Sequence, residues 1–320
     1  MITVAEGRAV APDIAAVVAV AHKIFSPTRS LVVERMADGG STFVYRVGRG
    51  DERFYLRVLP EIGDTCAPEV RAHALLRERG VRVPEVIYHE PRNEVLGLSV
   101  LVTTEIAGRS VAAAGLGATT PAVLLAAGRD LAIINSVAVA GFGWVRRDCA
   151  VVAELTGERA SNRAFLTEEL DGHLALIGAH LVTPPEIVAI RDTIARHDAW
   201  LDAAQGSLAH GDLDATHIYQ DHGRYTGIID FGEMRGTDRW YDLGHFAVRD
   251  GERIAAPLLP WLLAGYAEIT PLPDDQRQRI AFAALLIGIR LAARSLARRS
   301  PTGHDRSAMR AIERGVTTLA

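Results

Sequence analysis

Leu208-Ala-His-Gly-Asp-Leu-Asp-Ala-Thr-His-Ile-Tyr219, followed after a short gap by Tyr225-Thr-Gly-Ile-Ile-Asp-Phe-Gly232, is the segment richest in chemistry. His210, Asp212 and His217 fall on a loop before a short apolar run. Asp230 ends a second run, Gly227-Ile-Ile-Asp. The two runs pair as a hairpin across Gln220 to Arg224, which brings Asp212, His217 and Asp230 to one end. Carboxylates beside an imidazole bind a hard cation and leave one base free. Singly, these residues read as a helix-capping Asp, a turn Asp and a satisfied core histidine. Four of them at this spacing outweigh that plainer reading.

The pattern on either side of the hairpin predicts an α+β architecture in two lobes. A short helix over residues 12–25 precedes Leu31–Met36, Phe43–Val47 and Phe54–Leu59, three β-rich runs joined by Gly/Asp turns. A helix is expected over Ala67–Arg79, closed by Gly80. Further strands follow at Pro84–His89 and Leu98–Thr104, so the small lobe has five antiparallel strands and one intervening helix. Beyond a Gly/Ala/Thr-rich linker the pattern is mainly helical, over about 121–137, 160–182, 184–204, 240–249, 254–268 and 274–299, and more weakly after 303. The domains are therefore 1–104, a β-rich lobe with an extra N-terminal helix; 105–120, a linker; and 121–320, a larger helical lobe. A ligand is expected where two lobes meet.

Composition narrows the chemistry. The chain has 320 residues, 48% of them apolar, which suits a globular protein rather than a disordered or fibrous one. Lys23 is the sole lysine among 35 basic residues. No G-x-x-x-x-G-K-[ST] loop exists, and a lysine Schiff base has only Lys23 to use. A net charge of −4 gives no nucleic-acid footprint. Cys66 and Cys149 are far apart and read as thiols in a reducing cytosol. The run Ile14–Ala21 is too short to span a bilayer and no signal-peptide pattern is seen. The expectation is a cytoplasmic protein with no membrane or nucleic-acid partner, a monomer or homodimer.

Two more constellations stand in the small lobe. In the turn Asp38-Gly-Gly-Ser-Thr42, the N–H groups of Gly39 and Gly40 and the hydroxyls of Ser41 and Thr42 suit a phosphate; a hairpin turn also wants glycine for its own geometry. In Phe54-Tyr-Leu-Arg-Val-Leu59, period-two alternation puts Tyr55, Arg57 and Leu59 on one face. Arg57 is then a cation among hydrophobes and needs a partner. Glu69, in the first turn of the next helix, is the candidate; a snorkelling arginine at a sheet edge is the alternative.

Together these motifs resemble the aminoglycoside phosphotransferase and choline-kinase-like family, relatives of the protein kinases, over about residues 30–270. His210-Gly-Asp212, the step to position 217 and Ile-Ile-Asp230-Phe-Gly carry most of it. Thr103-Thr-Glu-Ile-Ala-Gly108, Gly141-Phe-Gly-Trp144 and Tyr241-Asp-Leu243 fall in family order. The resemblance implies a bilobed protein-kinase-like fold and transfer of the γ-phosphoryl of ATP or GTP to a hydroxyl of a small molecule, such as an aminoglycoside, another antibiotic or a sugar. It implies that Asp212 is the catalytic base or orienter and that His210 supports its loop. Asp230 and His217 would hold Mg²⁺, or Mn²⁺. Arg57, held by Glu69, would meet the α/β-phosphates. The backbones of Thr104 and Ile106 would bond the purine edge, with Ile229 also in the nucleotide set. Asp242 would pin the catalytic loop.

Two positions depart from the family pattern. Arg57 stands where the family has lysine; it keeps the charge but is longer and planar. His217 stands where the family has asparagine, and imidazole suits Mg²⁺ less well than a carbonyl oxygen. These departures keep a non-catalytic nucleotide binder in play. A zinc hydrolase built on His210, Asp212, His217 and Asp230 is a third reading, which leaves Arg57 and Glu69 without a role. On the acceptor side the candidates are Asp214, Glu233, Asp238, His245 and Glu268, although Arg235, Arg239 and Trp240 nearby argue against a uniformly acidic pocket.

Overall fold

Alternating apolar and polar residues between Gly/Asp turns form the first sheet. Its strands are β1 (Leu31–Arg35), β2 (Phe43–Arg49), β3 (Glu52–Val58), β4 (Val86–Glu90) and β5 (Val100–Thr104), antiparallel in the order β1-β2-β3-β5-β4. α1 (Ile14–Phe25) precedes them and α2 (Ala67–Glu78) lies between β3 and β4. The computed structural model describes residues 7–25, 30–36, 42–149, 152–298 and 303–320, with side chains from 306 in the last stretch. Gly39, Gly40 and Ser41 lie outside the described residues; Thr42 is buried.

β3 shows how the sheet is covered. Phe54, Leu56 and Val58 bury against Val17, Val20 and Ala21 of α1. Leu59 and Leu101 face the other way, packed with Cys66, Val70 and Val86. Each such side chain contributes about 2 kcal/mol when fully buried. The alternation that exposes Arg57 to the α2 side is the same one that drives Leu56 into the core.

The chain forms two compact units, 1–106 with 146–155, and 107–145 with 156–320. The stretch 146–155, read from sequence as part of the C-terminal lobe, packs with the first unit. There Thr65 N–H donates to the Arg147 carbonyl (2.8 Å) and Arg71 Nε to the Ala153 carbonyl (3.2 Å). These are backbone acceptors, which composition does not reveal.

The second unit begins with β6 (Arg109–Ser110), α3 (Val111–Ala114) and α4 (Thr120–Ile134), then β7 (Ala138–Val139), β8 (Phe142–Val145) and β9 (Gly157–Arg159). α5 (Asn162–Thr167), α6 (Leu170–His180) and α7 (Pro184–Arg196) lead to β10 (Gly206–Ala209), β11 (Ile218–Asp221), β12 (Arg224–Ile228) and β13 (Arg235–Thr237). α8 (Trp240–Arg249), α9 (Leu259–Ile269), α10 (Gln276–Ala297) and α11 (Gly303–Thr318) complete it. Two small sheets, β7-β10-β13-β8-β9 and β12-β11-β6, bracket the loop 210–217. β11 and β12 form the expected hairpin, and β6 adds a third strand from inside the stretch read as a linker.

Three helices are shorter than their pattern predicts. The run 160–182 breaks between α5 and α6, where Arg159 grips Glu168 through two bonds of 2.9 and 2.8 Å. The run 184–204 gives way after Arg196 to a single 3₁₀ turn, whose Asp198 is tied to Arg163. α9 starts at Leu259 rather than 254, because Pro257 cannot sit inside a helix; the Asp250 carboxylate caps it by accepting from Leu258 and Leu259 N–H. α10 is long and apolar enough to cross a bilayer by length and composition alone. Its apolar residues are instead core, with Leu285 and Ile289 fully buried among residues of α6, α7 and α11.

α4 and α9 cross at backbone contact. A Cβ on Gly128 would lie 2.0 Å from the Leu262 carbonyl, and one on Gly265 1.9 Å from the Leu125 carbonyl. Overpacking at such a contact costs about 1–3 kcal/mol or more. Gly265→Ala should lower unfolding free energy in urea by about 2 kcal/mol. Gly172→Ala, a helical control with nothing within 4 Å of the added carbon, should cost nothing. Equal midpoints for the two variants would show that the crossing is not close-packed.

Candidate active site

The loop after β10 is set by one buried carboxylate. Asp242, in the first turn of α8 and fully buried, accepts from His210 N–H (2.9 Å), Gly211 N–H (2.9 Å) and Asn135 Nδ2 (2.9 Å). Asn135 also donates to the Leu208 carbonyl at 3.0 Å. Gly211 adopts φ +89°, and a Cβ there would lie 1.8 Å from the Glu233 carbonyl. Only glycine lets the chain turn so tightly between His210 and Asp212.

His210 is buried, and burial lowers its proton affinity. Its Nε2 lies 2.8 Å from the Ile229 carbonyl, and its Nδ1 accepts from Asp212 N–H at 3.3 Å. Both nitrogens are engaged, so the neutral ring fastens the loop to the strand leading to Asp230. Ile229 N–H donates to the His217 carbonyl at 3.1 Å, which closes the frame.

Asp212 keeps 43% of its side chain exposed, while Oδ1 lies 3.2 Å from Nε2 of the buried His245. Burial alone would raise this carboxyl. The His245 hydrogen bond, followed by the charges of His245 and His217, outweighs it and holds Asp212 well below the usual carboxylate range. His245 also presents Nδ1 to the Leu213 carbonyl at 3.1 Å. It is thus a positioning residue for Asp212, buried behind the loop.

His217 presents Nδ1 to the Asp212 carbonyl at 2.7 Å. Burial disfavours its charged form, but Asp214, Asp230 and Asp212 together raise its proton affinity. Asp230 is exposed on a left-handed backbone, φ +67°. Mg²⁺ takes a few hard oxygens and otherwise keeps waters and phosphate oxygens. Asp230 fits that demand. His217 does not, since one nitrogen is spent on a carbonyl and its basicity favours a proton. Among the described residues no group of three or more His, Cys, Asp and Glu could hold a metal ion. With His210 also fully engaged, the zinc-hydrolase reading loses its ligands.

In the first unit, Arg57 Nη1 donates to Glu69 at 2.5 Å. Glu69 is fully buried and also accepts from Arg147 Nη2 at 3.1 Å. One carboxylate thus serves two guanidiniums. Thr104 N–H donates to the Glu85 carbonyl at 2.9 Å, so any bond it makes to a purine edge uses its own carbonyl. Ile106 follows directly at the end of this unit.

The acceptor candidates scatter. Asp214 caps its own turn through Thr216 N–H (2.6 Å) and lies 3.7 Å from His217. Glu233 pairs with Arg235 at 2.9 Å. Glu268 is on the surface of α9, paired with Arg129 at 2.6 Å. Asp238 lines a cavity of the second unit and accepts from Trp240 N–H at 2.8 Å. Three functional neighbours escaped the sequence reading as site residues. They are Asn135, Arg147 and Arg235, whose Nη1 donates to the Gly211 carbonyl at 2.5 Å. Arg235 carried a signal, a cation five residues after Asp230; the other two carried none.

The model of the APH phosphotransferase enzyme family matches residues 32–303. No curated protein sequence matches the chain. Solved structures do. A thermostable mutant of aminoglycoside phosphotransferase APH(4)-Ia, in ternary complex with ADP and hygromycin B, aligns with a TM-score of 0.65 at 15% identity, covering 94% of this chain and 96% of that one. Macrolide 2'-phosphotransferase MphH from Brachybacterium faecium aligns with a TM-score of 0.57 at 18% identity, over 94% and 97%. At these identities the likeness establishes a common fold.

Burial pushes Asp238 up to about 6, against an ordinary value of 3.8, despite the Trp240 hydrogen bond. A folded-state value above the unfolded one means that the folded protein binds the proton more tightly. The stability gained is full below about pH 4 and lost as pH rises toward 6. Asp238→Asn keeps the acceptor oxygen and abolishes that titration. The difference in thermal midpoint between variant and wild type should grow in the variant's favour from pH 4.5 to pH 7.5. A difference that does not change with pH would mean that Asp238 is ionised throughout.

Proposed function

Because the chain belongs to the APH phosphotransferase enzyme family, whose members are small-molecule kinases, we propose that it moves the γ-phosphoryl of ATP or GTP to a small-molecule hydroxyl, with Asp212 against the attacking oxygen. The observation that carries this reading is how Asp212 is held. Its loop backbone is tied to Asp242, one oxygen is tied to His245, and the carboxylate still reaches solvent. In the transfer, the acceptor oxygen forms a bond to phosphorus as the bond to the β–γ bridging oxygen breaks. The nucleoside diphosphate leaves with those electrons, and the hydroxyl proton passes toward Asp212.

A carboxylate held below its usual range is a weak base. Asp212 therefore orients the hydroxyl and takes its proton late, as a loose phosphoryl-transfer transition state allows. Asp230 would hold Mg²⁺, whose charge would offset that of the nucleotide phosphates. Arg57, kept extended by Glu69, offers a planar fork to phosphate oxygens where lysine would offer a point charge. A cytoplasmic location is part of the proposal, supported by the free thiols Cys66 and Cys149. One observation favours a second reading, nucleotide binding without transfer: His217 offers a proton-favouring ring in place of a hard metal ligand.

Transfer to a hydroxylated panel, with ADP binding measured in parallel, tests the proposal. Asp212→Asn should cut turnover by about a thousandfold or more while ADP affinity stays within about twofold. Arg57→Ala should weaken nucleotide binding by about tenfold or more, and Arg57→Lys should retain it. Transfer surviving in Asp212→Asn would remove that residue from the reaction. ADP binding by a wild type that phosphorylates nothing would favour the second reading.

A further inference from the structure

A cavity of about 350 Å³ opens within the second unit, between α5–α6, β8, the start of α8 and α10. That is the lower end of ligand-pocket size. Trp144, Trp200 and Trp240 line it, three of the four tryptophans in the chain. Their faces are broad, rigid and apolar, and suit a sugar or aromatic ring.

The charges around these rings are not evenly placed. At the rim, Arg159 is taken up by Glu168, and Glu169 is 66% exposed beside His173. Arg279 is bonded to Asp275 at 2.8 Å and lies over Trp200 at 4.9 Å. Asp238 is occupied by the Trp240 N–H and is protonated more readily than an ordinary aspartate. Two further guanidiniums of the lining stand outside these pairs. Arg290 and Arg294, one turn apart on α10, line the cavity, and neither has a carboxylate within ion-pair distance among the described residues. Arg290 bonds the Tyr241 hydroxyl, while its Nε is buried without a hydrogen-bond partner. Arg235 stands behind them, 1% exposed and paired with Glu233 at 2.9 Å, its guanidinium over the rings of Trp144 at 4.0 Å and Tyr241 at 5.0 Å. Burial and mutual repulsion with Arg290 lower the proton affinity of both Arg235 and Arg294. Guanidiniums that repel one another in a partly dry cavity are relieved by an anion.

The cavity is physically joined to the catalytic loop. Arg235 donates to the carbonyl of Gly211, the residue before Asp212, and lies over the ring of Trp144, which lines the cavity. Tyr241 and His245 are one turn apart on α8, about 6 Å along its axis. Tyr241 lines the cavity and His245 holds Asp212.

We propose that this cavity receives the acceptor, and that the acceptor carries an oxyanion, carboxylate or phosphate, beside a hydroxylated ring that stacks on tryptophan. Arg290 and Arg294 take the oxyanion, so a polycation is the wrong charge for the site. The proposal rests on the phosphotransferase reading above.

The three lining tryptophans supply the readout. Intact protein is titrated with gluconate, glucose 6-phosphate, glucose and kanamycin while intrinsic fluorescence is followed, and ADP binding is measured in the same samples by thermal shift. The expected result is saturable quenching by gluconate or glucose 6-phosphate, at least about tenfold tighter than by glucose, with none by kanamycin. Whichever anion binds tells a carboxylate site from a phosphate site. Arg294→Gln should weaken that binding by about tenfold, Arg294→Lys should recover part of it, and both should leave the ADP shift unchanged. Quenching by kanamycin or glucose as strong as by the anions would overturn the proposal, as would anion affinity indifferent to Arg294→Gln. An ADP shift without anion binding would refute the acceptor class alone. Absence of an ADP shift would refute the phosphotransferase reading, whatever the anions do.

Discussion

The carboxylate of Asp242 is the constraint on which the catalytic loop depends. It is fully buried and accepts three N–H bonds, two from the loop backbone and one from Asn135 on α4's C-terminal edge. A buried charge is costly unless its lone pairs are satisfied. Here the donors that satisfy it are the ones that set the path of His210 and Gly211. The loop cannot adopt another course without leaving that charge unpaired. The consequences follow outward: Gly211 must be glycine, His210 must be neutral and inward, and Asp212 emerges at one place only.

Arginine takes over roles that ammonium groups often fill, and its geometry matters each time. Arg57 and Arg147 share Glu69 because a planar guanidinium presents several donors and lets the carboxylate serve two partners at once. Arg235 uses both its edge and its face, bonding the Gly211 carbonyl and lying on Trp144. A lysine offers no flat face for such stacking. The near absence of lysine is therefore compatible with phosphate chemistry, provided each guanidinium is held extended by a neighbour.

The parts legible in the sequence were those written in local periodicity. Phe54, Leu56 and Val58 alternate with polar neighbours, and that alone placed β3 and its buried face. The β11–β12 hairpin and the 240–249 helix were legible for the same reason. The misread helix ends had tertiary causes: Arg159 holding Glu168, and Asp250 capping α9 from outside it. The two-residue strands β6 and β7 are too short to carry a period. Among the site residues, Asp212, His217 and Asp230 could be grouped because a hairpin fixes their ends. Glu268, by contrast, met Arg129 on the surface of α9.

By itself the sequence determined the order of elements in the small lobe, its five-stranded sheet, the loop that carries Asp212 and the cation at position 57. Each follows from residue type and spacing over a few neighbours. Only the tertiary structure decided which carboxylates are ligands and which are props. Asp230 is exposed, Asp242 is enclosed, and the surroundings of Asp238 raise its proton affinity, although all three are aspartates within a short stretch. It also decided which charges line the cavity of the second unit, because Arg290 and Arg294 come from α10, remote in sequence from the tryptophans that share the lining. Charge acts through space and through desolvation, and neither can be read along the chain.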